Sequence, residues 1–337
     1  MINNIKHLAL LLVIIITTSS CNNKKNLQSV TLYDINKVSD IVRIPLDSIA
    51  MSTEIIQLDS SIGYMTDLIE TEDYYFAIWR SEQISQYNKN GKFIRNIYCK
   101  GRGPGEYIAA SGLYYNEVDS TLYTFDFAQQ KIITYKDGQY IESGDVLLNE
   151  HDVFLSSFYP YESNLIFYTS SNKNNPFLVM YNTKSKESVQ ITEKSEMIKD
   201  DSLLNDGAHF FFNDNPTYYS LLNDTVFSIL NNKLRADFLI KNFSTPNPSQ
   251  ISIICLRSLG DNLFIHYFHI NQENKRTRHI GLYNQKSGEY NQDIEVTSLN
   301  PQTAIKPNSR LIYSNGKILI KVNYEENSTY LVKYSVQ

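Results

Sequence analysis

The segment Gln83-Ile84-Ser85-Gln86-Tyr87-Asn88 has counterparts further along the chain in Ile132-Ile133-Thr134-Tyr135-Lys136, Leu178-Val179-Met180-Tyr181-Asn182 and Gly281-Leu282-Tyr283-Asn284. Each is an apolar alternating run that ends on an anchor residue and passes into a polar turn. With Leu230 and Tyr334 included, the anchors Tyr87, Tyr135, Tyr181, Leu230, Tyr283 and Tyr334 stand 48, 46, 49, 53 and 51 residues apart. Spacing this regular marks an internal repeat. Upstream of each anchor lies a second strand-like run, at residues 74–79, 121–126, 164–170, 217–222, 262–270 and 317–324. Most of these follow tight polar turns such as Glu70-Thr71-Glu72-Asp73 or Ser314-Asn315-Gly316. A further apolar run often precedes the turn, as at 251–256, and a fourth follows most anchors, as at 92–99 and 290–296.

Six units of four short strands predict an all-β fold, a six-bladed β-propeller of four-stranded antiparallel blades, in which radial repetition hides the sheet edges. The last unit stops at its third strand, residues 329–335. Surplus strands at 41–46 and 52–58 are available to complete it, so the ring is expected to be closed by N-terminal strands and residues 40–337 to form one domain.

The composition agrees. A 337-residue chain that is 42% hydrophobic and 12% aromatic holds enough apolar material for a large core and is not a disordered chain. Its 25 Tyr and 16 Phe outnumber 13 Gly and 9 Pro, a balance that favours strands. A net charge of -5, with no basic stripe, excludes nucleic acid as the expected partner.

The first twenty residues read as an export signal. Lys6 gives a positive start, and residues 8–16 are an apolar run of nine, far short of the roughly 20 that span a bilayer. The run passes through Thr17-Thr18-Ser19-Ser20 into Cys21, and this resembles the lipobox of bacterial lipoproteins. The resemblance implies a signal peptide over 1–20, lipidation of Cys21, a linker over 21–39 and membrane attachment through the lipid. Asn22-Asn23-Lys24-Lys25-Asn26 lacks the acidic residues associated with surface display, which favours an outer-membrane anchor facing the periplasm. The residues alone also fit an ordinary secreted protein with an incidental cysteine.

A second resemblance lies in residues 93–137. Phe93-Ile94-Arg95-Asn96-Ile97, Gly101-Arg102-Gly103-Pro104-Gly105-Glu106-Tyr107, Leu122-Tyr123-Thr124-Phe125-Asp126 and Ile132-Ile133-Thr134-Tyr135 resemble repeats of the NHL type. Together with the lipobox, the chain resembles the six-bladed β-propeller lipoproteins of Gram-negative bacteria, of the NHL or TolB-like kind. That resemblance implies a fold and an address rather than a reaction.

Candidate chemistry is sparse. Residues 101–105 are glycine-rich, but phosphate-cradling loops open a helix, whereas a proline and another strand follow here, so a structural turn is expected in which Glu106 binds nearby backbone amides. His266 and His269 lie three apart in one strand and therefore point to opposite faces, which argues against a shared metal. Cys99 and Cys255 are expected as free thiols in separate strands. There is no His-Glu-x-x-His, Gly-x-Ser-x-Gly or Walker sequence, and neither a metal nor a cofactor is expected.

In such a meander the second-to-third loops and the blade crossovers share one end. Residues 80–82, 100–110, 127–130, 171–176, 192–216 and 271–277 are expected there, with 195–205 as a short helix or lid. The candidate ligand-binding residues at that end are Trp79, Arg80, Arg102, Tyr107, Asp126, His209 and Arg276. Two functions fit: a non-catalytic envelope protein that binds a glycan, peptide or partner protein, or a propeller hydrolase or lyase acting on a polysaccharide or peptidic substrate. The second requires carboxylates, Asp126 among them, that converge from several blades.

Overall fold

The alternating runs pair as the repeat predicts. The computed structural model describes residues 28–33, 41–59, 63–146, 154–170, 178–191, 207–212, 215–220, 225–230, 233–243, 250–271, 273–325 and 328–336. Blade 1 comprises Met65–Glu70, Tyr74–Trp79, Gln83–Asn88 and Phe93–Cys99, and blade 2 comprises Ala110–Asn116, Thr121–Asp126, Lys131–Lys136 and Gln139–Asp145. Blade 3 is built of Phe154–Tyr161, Asn164–Ser170, Leu178–Asn182 and Ser188–Gln190. Blade 4 contains Gly207–Phe212, Asn215–Ser220, Thr225–Leu230 and Lys233–Phe243; blade 5 contains Gln250–Leu259, Asn262–Ile270, Arg276–Asn284 and Tyr290–Asn291. Blade 6 takes Arg310–Ser314, Ile318–Glu325 and Ser328–Ser335 from the C-terminus and Ser52–Leu58 from the N-terminus, which closes the ring. The fold is a six-bladed β-propeller.

Six apolar clusters fill the six gaps between blades. The anchors explain themselves in this setting. Tyr87, Tyr135, Tyr181, Tyr283 and Tyr334 are all buried in these gaps, and each buried ring removes a large apolar area from water. Two of them also tie down the crossover that enters their own blade: the Tyr135 hydroxyl donates to Gly105 O at 2.7 Å and the Tyr334 hydroxyl to Thr303 O at 2.8 Å. Leu230 ends its strand as expected; its side chain lies outside the described residues.

Three expectations are corrected. The stretch 21–39, expected as a linker, contains a strand: Gln28–Tyr33 pairs in parallel with Lys233–Phe243 as a fifth strand of blade 4. Residues 290–296, expected as one strand, divide into Tyr290–Asn291 in blade 5 and Ile294–Thr297, which pairs in parallel with Val42–Pro45 in a separate ribbon. Ser52–Leu58 alone therefore completes blade 6. The stretch 192–216, expected as a loop, ends in the first strand of blade 4 and the start of its second. Cys21 and the proposed helix or lid at 195–205 lie outside the described residues.

Candidate binding site on the propeller axis

The first strand of each blade is the one that meets its neighbours around the ring. First strands of blades 6 and 1, 1 and 2, 2 and 3, 4 and 5, and 5 and 6 pack against each other, and that of blade 3 meets the second strand of blade 4. They line the axis.

Five of these first strands carry a β-bulge, at Thr66, Gly112, Ser156, Ile254 and Ile312. A bulge changes which face a side chain takes, so simple alternation along the strand fails there. The ladder restores the correspondence between blades. The anchor tyrosines Tyr87, Tyr135, Tyr181, Tyr283 and Tyr334 oppose Tyr75, Leu122, Leu165, Leu263 and Leu319. Moving two residues along the second strand and across to the first brings Leu68, Leu113, Phe158, Leu256 and Leu311 into one ring of equivalents. All five are buried, each against the preceding blade.

The equivalents on either side of this apolar ring differ in chemistry. One flanking ring is Asp67, Ser111, Ser157, Cys255 and Arg310; the other is Ile69, Tyr114, Tyr159, Arg257 and Tyr313. The Ser157 side chain lies outside the described residues, and the other nine are all half-buried. Ile69, Tyr114 and Tyr313 also pack into the gap to the following blade, and the two rings together form the axial wall.

Charges from non-neighbouring blades act on one another across this wall. Burial pushes the Asp67 carboxyl up to about 6, against the opposing pull of the Leu68 amide, the Arg257 guanidinium of blade 5 and the Leu113 amide. Asp67 accepts from its neighbour Leu68 N at 2.8 Å. The Tyr159 and Tyr313 phenols are pushed up first by burial, and Asp67 adds to the shift of both. Arg257 donates through Nη1 to Leu256 O at 2.8 Å and through Nη2 to Ile312 O at 3.2 Å, while its buried Nε has no partner. No ion pair or hydrogen bond joins Arg257 to Asp67 among the described residues. Burial raises the Cys255 thiol, and Arg257, Arg278 and Arg310 oppose that shift. The wall thus holds a buried guanidinium Nε without a partner, two phenols and a carboxyl raised to about 6, from four different blades.

The residues nominated from the sequence lie elsewhere. Trp79 and Tyr107 are 1% and 0% exposed: a strand-end aromatic is still inside the blade gap when a crossover covers it. Trp79 packs between blades 6 and 1, and the Tyr107 hydroxyl accepts from Ile84 N at 2.9 Å and donates to Tyr98 O at 2.6 Å. Asp126 is also 0% exposed. Its carboxylate accepts from the amides of Ile108 (2.8 Å), Ala109 (3.2 Å), Ala128 (3.0 Å) and Gln129 (3.3 Å) and from Gln129 Nε2 (2.6 Å), which makes it a clamp on the two loops that meet there.

Arg80, Arg102 and Arg276 are exposed, in a turn of blade 1, the crossover to blade 2 and the third strand of blade 5. No hydrogen bond, ion pair or ring contact joins any two of them. Arg80 and Ser81 both have positive φ, 53° and 59°, in a tight turn closed by Glu82 N donating to Trp79 O at 2.9 Å, so this connection is no open loop. His209 lies on Gly207–Phe212 opposite Tyr218; its side chain lies outside the described residues.

The glycine-rich crossover is structural, as expected. Gly103 N donates to Glu106 Oε2 at 2.6 Å, and Gly105, at φ +80°, has Tyr140 Cβ 2.7 Å from where a side chain would begin. His266 is 2% exposed and held at about 3 by burial and then by Arg257 and Arg278, whereas His269 sits edge-on to His279 at 6.1 Å. The two do not face a common point, and among the described residues no group of three or more His, Cys, Asp or Glu is placed to hold a metal. Sequence reasoning missed Asp67, Tyr159, Arg257 and Tyr313, because only the ladder and its bulges show that they are equivalent or adjacent on one wall.

Comparisons with known proteins agree on the fold. No curated protein matches the chain by sequence. A protein of Bacteroides fragilis described as exported superposes with a TM-score of 0.63 at 15% identity, over 92% of this chain and 99% of that one. A Bacteroides vulgatus member of the DUF4221 family superposes with a TM-score of 0.57 at 10% identity, over 85% and 98%. The model of the family described as a domain of unknown function, DUF4934, matches residues 30–250. The chain therefore belongs to the DUF4934 family.

Proposed function

We propose that this protein is an exported, lipid-anchored envelope propeller that binds a polar ligand, a glycan or a peptide segment of a partner, at the axial wall. The observation that carries this reading is the convergence of Asp67, Tyr159, Arg257 and Tyr313 from four blades. An arginine N–H without a partner in a desolvated wall favours any ligand that supplies an acceptor, because a buried polar group left unpaired costs about 1–3 kcal/mol. Tyrosines beside it offer flat surfaces for sugar rings or peptide side chains. The Lys6 and 8–16 leader pattern, Cys21, and the likeness to a protein described as exported support the address. Among the described residues no helix is long and apolar enough to cross a membrane, which is compatible with attachment through a lipid.

Hydrolysis by a carboxylate pair finds no support at this wall, where Asp67 is the one carboxylate among the described positions; two are needed to flank a glycosidic bond. The test is a thermal-shift and calorimetric screen of envelope and dietary glycans and of peptides against the protein and its Arg257→Gln variant. A ligand that stabilises the parent and loses about tenfold or more in affinity on Arg257→Gln supports the reading. A ligand bound equally by both variants moves the site off the axis.

A further inference from the structure

Blade 5 holds a second polar group on its third strand, separate from the axial wall. Thr277 and His279 are two apart on Arg276–Asn284 and so share a face. Thr277 Oγ1 lies 2.9 Å from His279 Nε2, and His279 Nδ1 lies 2.6 Å from Asp293 Oδ1. An ionised carboxylate only accepts, so Nδ1 carries the proton and donates to Asp293. In the neutral ring Nε2 is then the lone-pair nitrogen, and the Thr277 hydroxyl, which also has His269 O as an acceptor at 3.4 Å, is placed to donate to it.

The imidazole is fixed on further sides. Tyr267 stacks on it at 5.3 Å with planes 14° apart, and His269 meets it edge-on at 6.1 Å. Tyr267 is itself buried and anchored through its hydroxyl to Gln292 O, next to Asp293, at 3.2 Å. The His279 and Asp293 side chains are each only 19% exposed, whereas Thr277 is open to solvent. An accessible hydroxyl, a base in hydrogen-bond contact with it and a shielded carboxylate that orients the base are the three parts of an activated oxygen nucleophile.

We infer that Thr277, His279 and Asp293 form a nucleophilic site that takes the acyl group of a small O-acyl ester. Thr277 Oγ1 bonds to the ester carbonyl carbon as its proton passes to His279 Nε2. The tetrahedral adduct collapses with cleavage of the ester C–O bond, and the departing alkoxide takes that proton and leaves as an alcohol. Water then attacks the acyl-threonine, again giving its proton to Nε2. The bond from the acyl carbon to Oγ1 breaks, Oγ1 recovers the proton, and a carboxylic acid leaves. An ester fits better than an amide, since its leaving group needs less help from the acid. This site uses none of the axial residues and stands or falls independently of them.

The folded full chain, in mild detergent, is incubated with p-nitrophenyl acetate. Release of p-nitrophenolate is followed together with the position of acetyl groups by peptide mass spectrometry. Acetyl is expected on Thr277. It is expected to persist in Thr277→Ser, to vanish in Thr277→Val and to slow about 100-fold or more in His279→Gln, the range for loss of a general base. Circular dichroism of each variant confirms that the fold is retained. Acetylation confined to lysines, or acetylation of Thr277 at the parental rate in His279→Gln, overturns the proposal.

Discussion

The apolar ring Leu68, Leu113, Phe158, Leu256 and Leu311 and the two rings beside it occupy the same five strands at adjacent ladder positions, yet they obey different rules. In the first, five blades supply nearly the same residue, and every side chain is spent on the gap to the preceding blade. In the others the residues run through Asp, Ser, Cys and Arg, or Ile, Tyr and Arg, and all described members remain half-buried. Repetition across five blades maintains the ring. Departure from repetition at an equivalent position is what gives this propeller an individual axis.

The largest loss of stability is expected at the apolar ring. Leu256→Ala, at 0% exposure, is expected to cost about 2–5 kcal/mol, since a cavity remains where the chain cannot collapse. Urea denaturation checks this, and a loss below about 1 kcal/mol would mean that the ring does not bear on stability as its burial implies.

Asp67→Asn sharpens the other side of the comparison. Because the folded carboxyl titrates near 6 and the unfolded one near 3.8, the folded protein holds the proton more tightly and stability falls as pH rises between those values. Replacing the carboxyl removes that loss. The variant should exceed the parent by up to about 2–3 kcal/mol at pH 7 and converge with it below pH 4. Parallel melting-temperature profiles from pH 4 to 7 would contradict the assignment. The smallest effect is expected at Arg102→Ala, which should stay within about 0.5 kcal/mol of the parent because no partner holds the exposed guanidinium. A large shift in its denaturation midpoint would show that the crossover depends on more than its glycines and Glu106.

Most of the ring was legible. Strands at 74–79, 121–126, 164–170 and 262–270 begin and end where the alternation and turns place them, and the closing strand Ser52–Leu58 follows from a last unit one strand short. The candidate site was not. Alternation tells that neighbouring residues take opposite faces, but a bulge such as Ile254 resets the count, so Cys255 and Arg257 cannot be matched to Asp67 and Ile69 without the ladder. Trp79, Tyr107 and Asp126 misled because aromatic and acidic residues at strand ends suit a ligand surface and a buried crossover equally well. The signal for Thr277 and His279 was present in their spacing; Asp293, fourteen residues on, required the fold.

Closure of blade 6 has a temporal consequence. Gln57 bonds Ser328 across 271 residues of chain, so the contact that completes the ring must wait until all of that intervening chain has been made. Pairings this distant in sequence form slowly, because a long loop must first be ordered. Until then, Ser52–Leu58 and Ser328–Ser335 each lack the neighbour that covers one edge, and an open edge will accept a strand from another molecule. A chain truncated before residue 328 would keep the first edge uncovered for good and should associate with copies of itself, whereas a chain that retains Ser328–Ser335 escapes that fate as soon as the two strands pair.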